Sequence, residues 1–197
     1  MIRLVLASAS AIRAQLLANA GLKFEIIPSE VDERAAEEPL LEAGMSSEDI
    51  ALVLAETKAA TVAVEQPGAL VIGADQTLDF EGKRLTKPAT LEEARRQLLA
   101  MSGMSHTLCA GVVVARDGEA IWRHVETARM YMRDLQPAEI GRYLGRVGTS
   151  ALKSVGGYQI EGVGIQLFDK IDGDYFAVLG LPLLPLLKFL RSVGAIE

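Results

Sequence analysis

Three separated basic side chains and two groups of carboxylates have the residue types and spacing that suit phosphate chemistry. The basic residues are Arg13, Lys58 and Lys87, and the carboxylates are a cluster at residues 30–33 and the single Asp75. Positive side chains neutralise polyphosphate oxygens, and carboxylates bind hard divalent cations or orient water. Taken singly, each of these residues also fits a helix cap, a turn or a solvated surface charge. Together they predict a metal-bound polyphosphate site.

Arg13 lies where a cation is unfavourable unless it binds an anion. Its position is the first turn of a predicted helix capped by Ser10, and a cation there opposes the helix dipole. Ser8, Ser10, the free N–H groups of that turn and Arg13 could together bind phosphate oxygens. An arginine that extends over the surface of its own helix has the same spacing, so the sequence leaves both interpretations open.

Lys58 and Asp75 occupy positions that are normally apolar or functional. Lys58 stands at helical spacing from apolar residues, on what should be the buried face of its helix. Asp75 ends an apolar strand predicted over residues 69–74, where α/β proteins often carry ligand-binding groups. Lys87 precedes Pro88, which favours an extended backbone. These positions indicate a site rather than scattered surface charges.

Composition excludes several other kinds of site. The 197 residues include one cysteine and two histidines, too few for a zinc cage, so oxygen-bound Mg²⁺ or Mn²⁺ is the expected metal. The net charge of −6 argues against a nucleic acid as the main partner. No P-loop or G-x-G-x-x-G spacing follows a strand. A Ser–His–Asp arrangement cannot be argued from His106 and His124, which fit ordinary structural roles.

The sequence favours a cytoplasmic protein with no membrane partner. The single Cys109 cannot form an internal disulfide, which fits a reducing compartment. The chain opens on a strand-like run without a signal-peptide layout. Its most apolar stretch, residues 177–187, is interrupted by Pro182 and Pro185 and is too short to span a bilayer.

Strands and helices alternate early in the chain, and a hairpin follows. Strands are expected over residues 2–7, 23–28, 69–74, 106–115, 120–132 and 165–170. Helices are expected over residues 10–21, 46–64, 91–101, 137–144 and 183–193. Residues 76–80 either continue the preceding strand or turn back. Loops are expected at residues 29–34, 37–47 and 156–164. Asp117–Gly118 marks a hairpin turn.

This order of elements predicts an α/β fold. Helices should flank a mixed twisted sheet, with two lobes around a central cleft. Half of the residues are apolar, and the length suits one well-filled core. We therefore expect a single domain over residues 1–197.

Short motifs in a fixed order resemble the Maf family of nucleotide pyrophosphatases. The opening run LASASAIR at residues 6–13 is similar to the family's A-S-x-S-P-R-R, and VIGADQ at residues 71–76 is similar to the motif with its catalytic aspartate. Further similar segments, in family order, are residues 29–33, 55–59, 87–88, 102–111, 157–164, 173–175 and 180–183. No single motif is specific, but the ordered set covers nearly the whole chain.

The resemblance implies a Maf-type fold, often dimeric, so that a homodimer is expected. It also implies divalent-metal-dependent hydrolysis between the α- and β-phosphates of a nucleoside triphosphate. The residues that would hold the triphosphate, by position, are Ser8, Arg13, Lys58 and Lys87. Glu33 and Asp75 would handle the metal and the attacking water, with Asp75 as the general base or a direct metal ligand.

The resemblance also bears on the nucleobase. Family forms that act on dTTP and UTP commonly have Thr and Gln where this chain has Gln76 and Glu161, and the latter pair is similar to the branch that hydrolyses 7-methyl-GTP. Guanine presents adjacent N–H donors that a carboxylate accepts in pairs, and N7 methylation adds positive charge. A dTTP/UTP pyrophosphatase of the same family is one alternative. A non-catalytic nucleotide-binding regulator of septum formation is another.

Overall fold

The computed structural model describes residues 2–197 and confirms the predicted α/β class. The helices are α1 (Ala11–Asn19), α2 (Glu33–Glu42), α3 (Ser47–Glu65), α4 (Leu91–Met101), α5 (Pro137–Val147), α6 (Tyr175–Val178) and α7 (Leu183–Ser192). The strands are β1 (Leu4–Leu6), β2 (Glu25–Ile26), β3 (Leu70–Phe80), β4 (Lys83–Leu85), β5 (Ser105–Arg116), β6 (Glu119–Met132) and β7 (Phe168–Asp172). Short 3₁₀ turns fill most of the segment between α5 and β7.

The strands form the predicted mixed sheet, in the order β2-β1-β3-β5-β6-β7 with β4 beside β3. Strand β1 is parallel to both β2 and β3, and Val5 is aligned with Glu25 on one side and Val71 on the other. Strand β4 is antiparallel to β3, and β7 is antiparallel to β6. The hairpin between β5 and β6 turns at Asp117 and Gly118, whose φ values of 52° and 86° match a two-residue turn.

The chain divides into two compact units by its internal contacts. The first contains residues 2–76, 109–126 and 174–197, and the second contains residues 77–108 and 127–173. Within residues 2–197, no helix is both long enough and apolar enough to cross a membrane. The single domain over residues 1–197 and its central cleft stay predictions.

Helix α3 forms the centre of the first unit. Its small side chains, among them Ala55 and Ala59, are buried against Val5 of β1, Val71 of β3 and Val113 of β5. The helix covers nearly the predicted range, because Ser46 accepts a hydrogen bond from a first-turn N–H and acidic residues fill that turn. Alanine on the buried face lets the helix lie close to the sheet.

Two glycines permit that close approach. A Cβ atom at Gly73 would lie 2.7 Å from the backbone nitrogen of Ala59, and closer still to a backbone oxygen of the same helix. One at Gly111 would lie 2.6 Å from another backbone oxygen of α3. Only glycine fits such contacts with backbone atoms. The two glycines therefore let α3 place Lys58 against β3, the strand that contains Asp75.

The loop expected at residues 37–47 is wrong in its first half, because α2 covers Glu33–Glu42. Asp32 begins this helix by accepting hydrogen bonds at 3.1 Å from the N–H groups of the two residues after Glu33. Pro39 lies inside the helix, where proline costs about 3 kcal/mol, and this penalty is why the sequence favours a loop. Packing of α2 on α3 offsets the cost.

Three other boundaries differ from the expected ones. Strand β3 continues through residues 76–80, which settles the alternative that the sequence left open. Strand β2 is limited to Glu25–Ile26. Strand β7 begins at Phe168, later than expected, because residues 163–167 form a 3₁₀ turn. Such ends depend on pairing partners distant in sequence.

A buried aromatic cluster stabilises the second unit. His106 is 3% exposed, and its Nε2 lies 2.6 Å from the hydroxyl oxygen of Tyr158. Phe168 packs edge-on against the Tyr158 ring, with centroids 4.7 Å apart. Burial lowers the pKa of His106 to about 4 and raises the pKa of the Tyr158 hydroxyl. The imidazole is therefore neutral at physiological pH.

We expect the stability of the protein to fall in acid because of His106. The unfolded chain protonates this histidine below about pH 6.5, whereas the folded chain does so only near pH 4. Protons therefore favour the unfolded state between these values, by up to roughly 3 kcal/mol at the acid end. His106→Gln should flatten the pH dependence of the free energy of urea unfolding from pH 6.5 down to 4.5. His124→Gln, which replaces the partly exposed second histidine, should keep the wild-type slope. Equal slopes in wild type and His106→Gln would contradict this assignment.

Candidate active site

The loop from β1 to α1 places two of the predicted serines at a helix N-terminus. The buried Ser8 hydroxyl oxygen accepts hydrogen bonds from the N–H of Ser10 at 3.3 Å and from Nη1 of Arg13 at 3.2 Å. Ser10 is the predicted cap of α1, and its Oγ accepts from the N–H of Arg13 at 3.5 Å. The positive end of the helix dipole at this loop favours anions.

Backbone acceptors hold the guanidinium of Arg13 inside the first unit. Its Nη1 donates to the carbonyl of Ala74 and its Nε donates to the carbonyl of Gly180, both at 2.8 Å. Burial lowers the pKa of Arg13, while Asp75 and Glu33 act to raise it. The group stays charged at neutral pH, as arginine does in proteins. The alternative of an arginine lying over its own helix does not apply.

Lys58 joins the two carboxylates that the sequence assigns to the site. Its Nζ lies 2.7 Å from Oδ1 of Asp75 and 2.6 Å from Oε1 of Glu33. The side chains of Lys58 and Asp75 are each 8% exposed, whereas that of Glu33 is 47% exposed. The structure thus brings together the buried face of α3, the middle of β3 and the first turn of α2. These three residues form a pair of carboxylates bridged by an ammonium.

The carboxyl of Asp75 is shifted by its surroundings. Burial raises the pKa of its carboxyl, Lys58 and Arg13 act to lower it, and Glu33 adds to the rise. Its Oδ1 accepts from Lys58, but its Oδ2 is buried and has no hydrogen-bond partner within residues 2–197. A buried acceptor without a partner is costly and calls for a ligand. Oδ2 is therefore the atom suited to take a proton from water or to bind a cation.

Gln76 is fixed by the backbone of α6. Its Nε2 donates to the carbonyls of Ala177 at 3.1 Å and Val178 at 2.9 Å. Two carbonyl acceptors on one side define the orientation of the amide, since only its nitrogen can donate to them. The amide oxygen is then the group that Gln76 can offer to another molecule.

Gly180 lies beside both Arg13 and Gln76, a position that the sequence did not indicate. Its φ is +86°, and an added Cβ atom would lie 3.3 Å from Nη2 of Arg13 and 3.6 Å from Cδ of Gln76. Only its place in a short family motif pointed to it, and that motif carried no role for the glycine. A glycine here lets the chain after α6 pass beside the guanidinium without a steric conflict.

Lys87 and Glu161 belong to the second unit. Lys87 lies between β4 and α4 and is exposed, beside the buried Pro88. Glu161 lies among the 3₁₀ turns before β7 and is also exposed. Their assigned roles in phosphate and base binding stay predictions.

The carboxylates of the first unit fit a magnesium-type cation. Among residues 2–197, no group of three or more His, Cys, Asp or Glu side chains is arranged around one metal position. Mg²⁺ commonly uses only one or two carboxylates together with water and substrate phosphates. Glu33 and Asp75 meet that requirement, and the unsatisfied Oδ2 of Asp75 supplies a buried oxygen donor. The residues therefore fit a cation that arrives with a phosphate ligand.

Comparison with known proteins identifies the family of this chain. Residues 3–193 match the model of the family described as Maf-like protein. Over 195 residues the chain is 57% identical to a 7-methyl-GTP pyrophosphatase of Mesorhizobium japonicum, covering 99% of this chain and 98% of that protein. A 7-methyl-GTP pyrophosphatase of Brucella suis is 56% identical, covering 100% and 98%. A nucleoside triphosphate pyrophosphatase of Caulobacter vibrioides is 51% identical, covering 97% and 96%. The predicted resemblance is confirmed: this chain belongs to the Maf-like protein family.

Proposed function

We propose that this protein hydrolyses nucleoside triphosphates between the α- and β-phosphates, which yields a nucleoside monophosphate and pyrophosphate. The observation that carries the proposal is the buried Asp75, with one oxygen bound to Lys58 and the other without a partner within residues 2–197. The names of relatives that are 51–57% identical over nearly the full chain support the same activity.

The residues of the first unit have distinct tasks in this reaction. Ser8 and the N-terminus of α1 bind phosphate oxygens, and Arg13 keeps that loop beside β3 through its bonds to Ala74 and Gly180. The Asp75 carboxylate accepts a proton from water, whose oxygen forms a bond to the α-phosphorus. The bond from that phosphorus to the bridging oxygen breaks, and pyrophosphate leaves. Lys58 neutralises charge that develops on the phosphate oxygens.

The position of attack can be read from isotope incorporation. In ¹⁸O-labelled water, attack on the α-phosphorus places the label in the monophosphate, and attack on the β-phosphorus places it in pyrophosphate. We expect label only in the monophosphate, measured by mass spectrometry after separation of the products. Release of orthophosphate without added pyrophosphatase, or no turnover at all, would contradict the proposal. The latter result would favour a nucleotide-binding regulator.

We further propose that a divalent cation, Mg²⁺ or Mn²⁺, assists the reaction. Glu33 and Asp75 would hold it, and it would neutralise charge on the substrate phosphates. We expect turnover to fall to background in excess chelator and to return when Mg²⁺ or Mn²⁺ is restored. Because the chain contains few soft ligands, Zn²⁺ should restore activity less well than either. Full turnover in excess chelator would remove the metal from the mechanism.

The preferred nucleotide in this proposal is 7-methyl-GTP. Support comes from the names of the relatives in Mesorhizobium japonicum and Brucella suis, and from Glu161, an acceptor-only group that suits guanine donors. A panel of 7-methyl-GTP, GTP, UTP and dTTP, compared by kcat/KM, tests the preference. A higher value for UTP or dTTP would favour the pyrimidine alternative.

Replacing Glu161 should weaken that preference. Because Glu161→Gln removes a charged acceptor, we expect kcat/KM for 7-methyl-GTP to fall about tenfold relative to that for UTP. Glu92→Gln is a matched control, since Glu92 is an exposed glutamate of the same unit. It should leave the ratio unchanged. An unchanged ratio in Glu161→Gln as well would mean that Glu161 does not select the base.

A cytoplasmic location and a homodimer also belong to the proposal. The sequence has one cysteine and so cannot form an internal disulfide, which suits a reducing compartment. The homodimer is implied by the family resemblance. Sedimentation analysis of the purified chain measures its oligomeric state directly.

A further inference from the structure

Lys58 occupies the space between Glu33 and Asp75 that a divalent cation held by the same carboxylates would need. Its Nζ is within 2.7 Å of an oxygen from each of them. Both distances are those of fully formed charge-assisted hydrogen bonds. A cation that binds the same two oxygens must displace the ammonium, and one on the other carboxylate oxygens would lie close enough to be strongly repelled.

The charges of the site are already balanced. Two cations, Arg13 and Lys58, face two carboxylates, Glu33 and Asp75. An added divalent ion would bring two positive charges into a partly buried region in which these cations already offset these carboxylates. The Lys58 side chain is 8% exposed, so water cannot easily solvate the ammonium once it leaves the carboxylates.

A triphosphate removes both obstacles at once. Its oxygens accept hydrogen bonds from the Lys58 ammonium, and its negative charge compensates the incoming metal. The ammonium can turn to these oxygens by rotating its own flexible side chain, with no movement of α3. Asp75 Oδ2, buried and without a hydrogen-bond partner within residues 2–197, then receives the cation.

We infer that Lys58 is an internal counter-cation that excludes divalent metal from the Glu33–Asp75 pair until a phosphate group binds its ammonium. The inference rests on the proposed metal-dependent pyrophosphatase. It makes metal and nucleotide binding mutually dependent, because each lowers the free energy of binding of the other. The metal therefore binds productively only together with substrate.

The test measures Mn²⁺ binding to the nucleotide-free chain. Binding is monitored by the decrease of the electron paramagnetic resonance signal of free Mn²⁺. The wild type should bind Mn²⁺ weakly. Lys58→Gln removes the charge but keeps a donor for Asp75, and it should bind Mn²⁺ about tenfold more tightly or better. Lys58→Arg keeps the cation and should stay weak. Lys188→Gln removes an exposed lysine of the same unit and should match the wild type.

A second neutral variant of Lys58 and a variant of Asp75 test whether the charge of Lys58 acts through the Asp75 carboxylate. Lys58→Met should also bind Mn²⁺ more tightly, with circular dichroism confirming that each variant is folded. Adding Asp75→Asn to Lys58→Gln should abolish the gain. Equal Mn²⁺ affinity in wild type, Lys58→Gln and Lys58→Met would overturn the inference, although chelator-sensitive turnover by the wild type would still support the proposed function. Tight Mn²⁺ binding by the nucleotide-free wild type would overturn it too.

Discussion

Asp75→Asn should reduce kcat by about 10²–10⁴-fold while the protein stays folded. Asparagine has nearly the same shape as aspartate, and its carbonyl oxygen can accept the hydrogen bond from Lys58 that Oδ1 accepts now. It cannot take a proton from water, and it is a poorer ligand for a hard cation. The measurement is steady-state hydrolysis of saturating 7-methyl-GTP, with thermal unfolding of the same preparation.

Asp169→Asn provides the matched control, since Asp169 is exposed in the second unit. It makes the same chemical change outside the site and should keep wild-type turnover. Folded Asp75→Asn with kcat within a factor of about three of wild type would exclude Asp75 as the base. Such a result would leave Lys58 and the N-terminus of α1 as the groups that act on the substrate.

Gly73→Ala should reduce both stability and turnover, because α3 cannot keep its place beside β3. The added Cβ would lie 2.7 Å from the nitrogen of Ala59 and 2.8 Å from its Cβ, and these atoms belong to a packed helix. Overpacking of this kind costs about 1–3 kcal/mol, and backbone contacts lie at the upper end. Lys58 is carried away from Asp75 by the same shift, and a displacement of about 1 Å can lower turnover about 100-fold.

The control for Gly73→Ala is a glycine-to-alanine change at a position where the added Cβ contacts no other atom. Gly145 lies on the exposed side of α5, and a Cβ there would have no atom within 4 Å. Gly145→Ala should stabilise the chain by about 0.5–1 kcal/mol, since alanine is the better helix former. Urea unfolding and kcat are measured for both variants. Wild-type stability in Gly73→Ala would mean that α3 has room to move.

Local chemistry made much of this protein predictable. Ser10, Ser46 and Thr90 each accept a hydrogen bond from a first-turn N–H, and helices begin after all three as expected. The hairpin at residues 117–118 follows from a turn sequence with a strong backbone preference. Lys58 and Asp75 were conspicuous because charge at an apolar position is costly unless it has a partner.

The secondary-structure predictions were wrong where tertiary packing outweighs local conformational preference. Helix α2 contains Pro39, and sequence rules penalise that residue without knowing that α3 lies alongside. Residues 165–167 were expected to begin a strand, but they belong to a 3₁₀ turn, and β7 pairs with β6 only from Phe168 onward. In both segments the local signal is weak, and distant contacts decide the conformation.

The sequence alone determined which residue types are available and on which face of which element they stand. Only the tertiary structure decided that one ammonium lies within 2.7 Å of two carboxylates and that Asp75 Oδ2 has no partner within residues 2–197. It also decided that Arg13 donates to Gly180, 167 positions later, and Gln76 to Val178. Helix and strand periodicity is a property of neighbouring residues. Distances between elements depend instead on how closely they pack, and at α3 and β3 the missing side chain of Gly73 sets that distance.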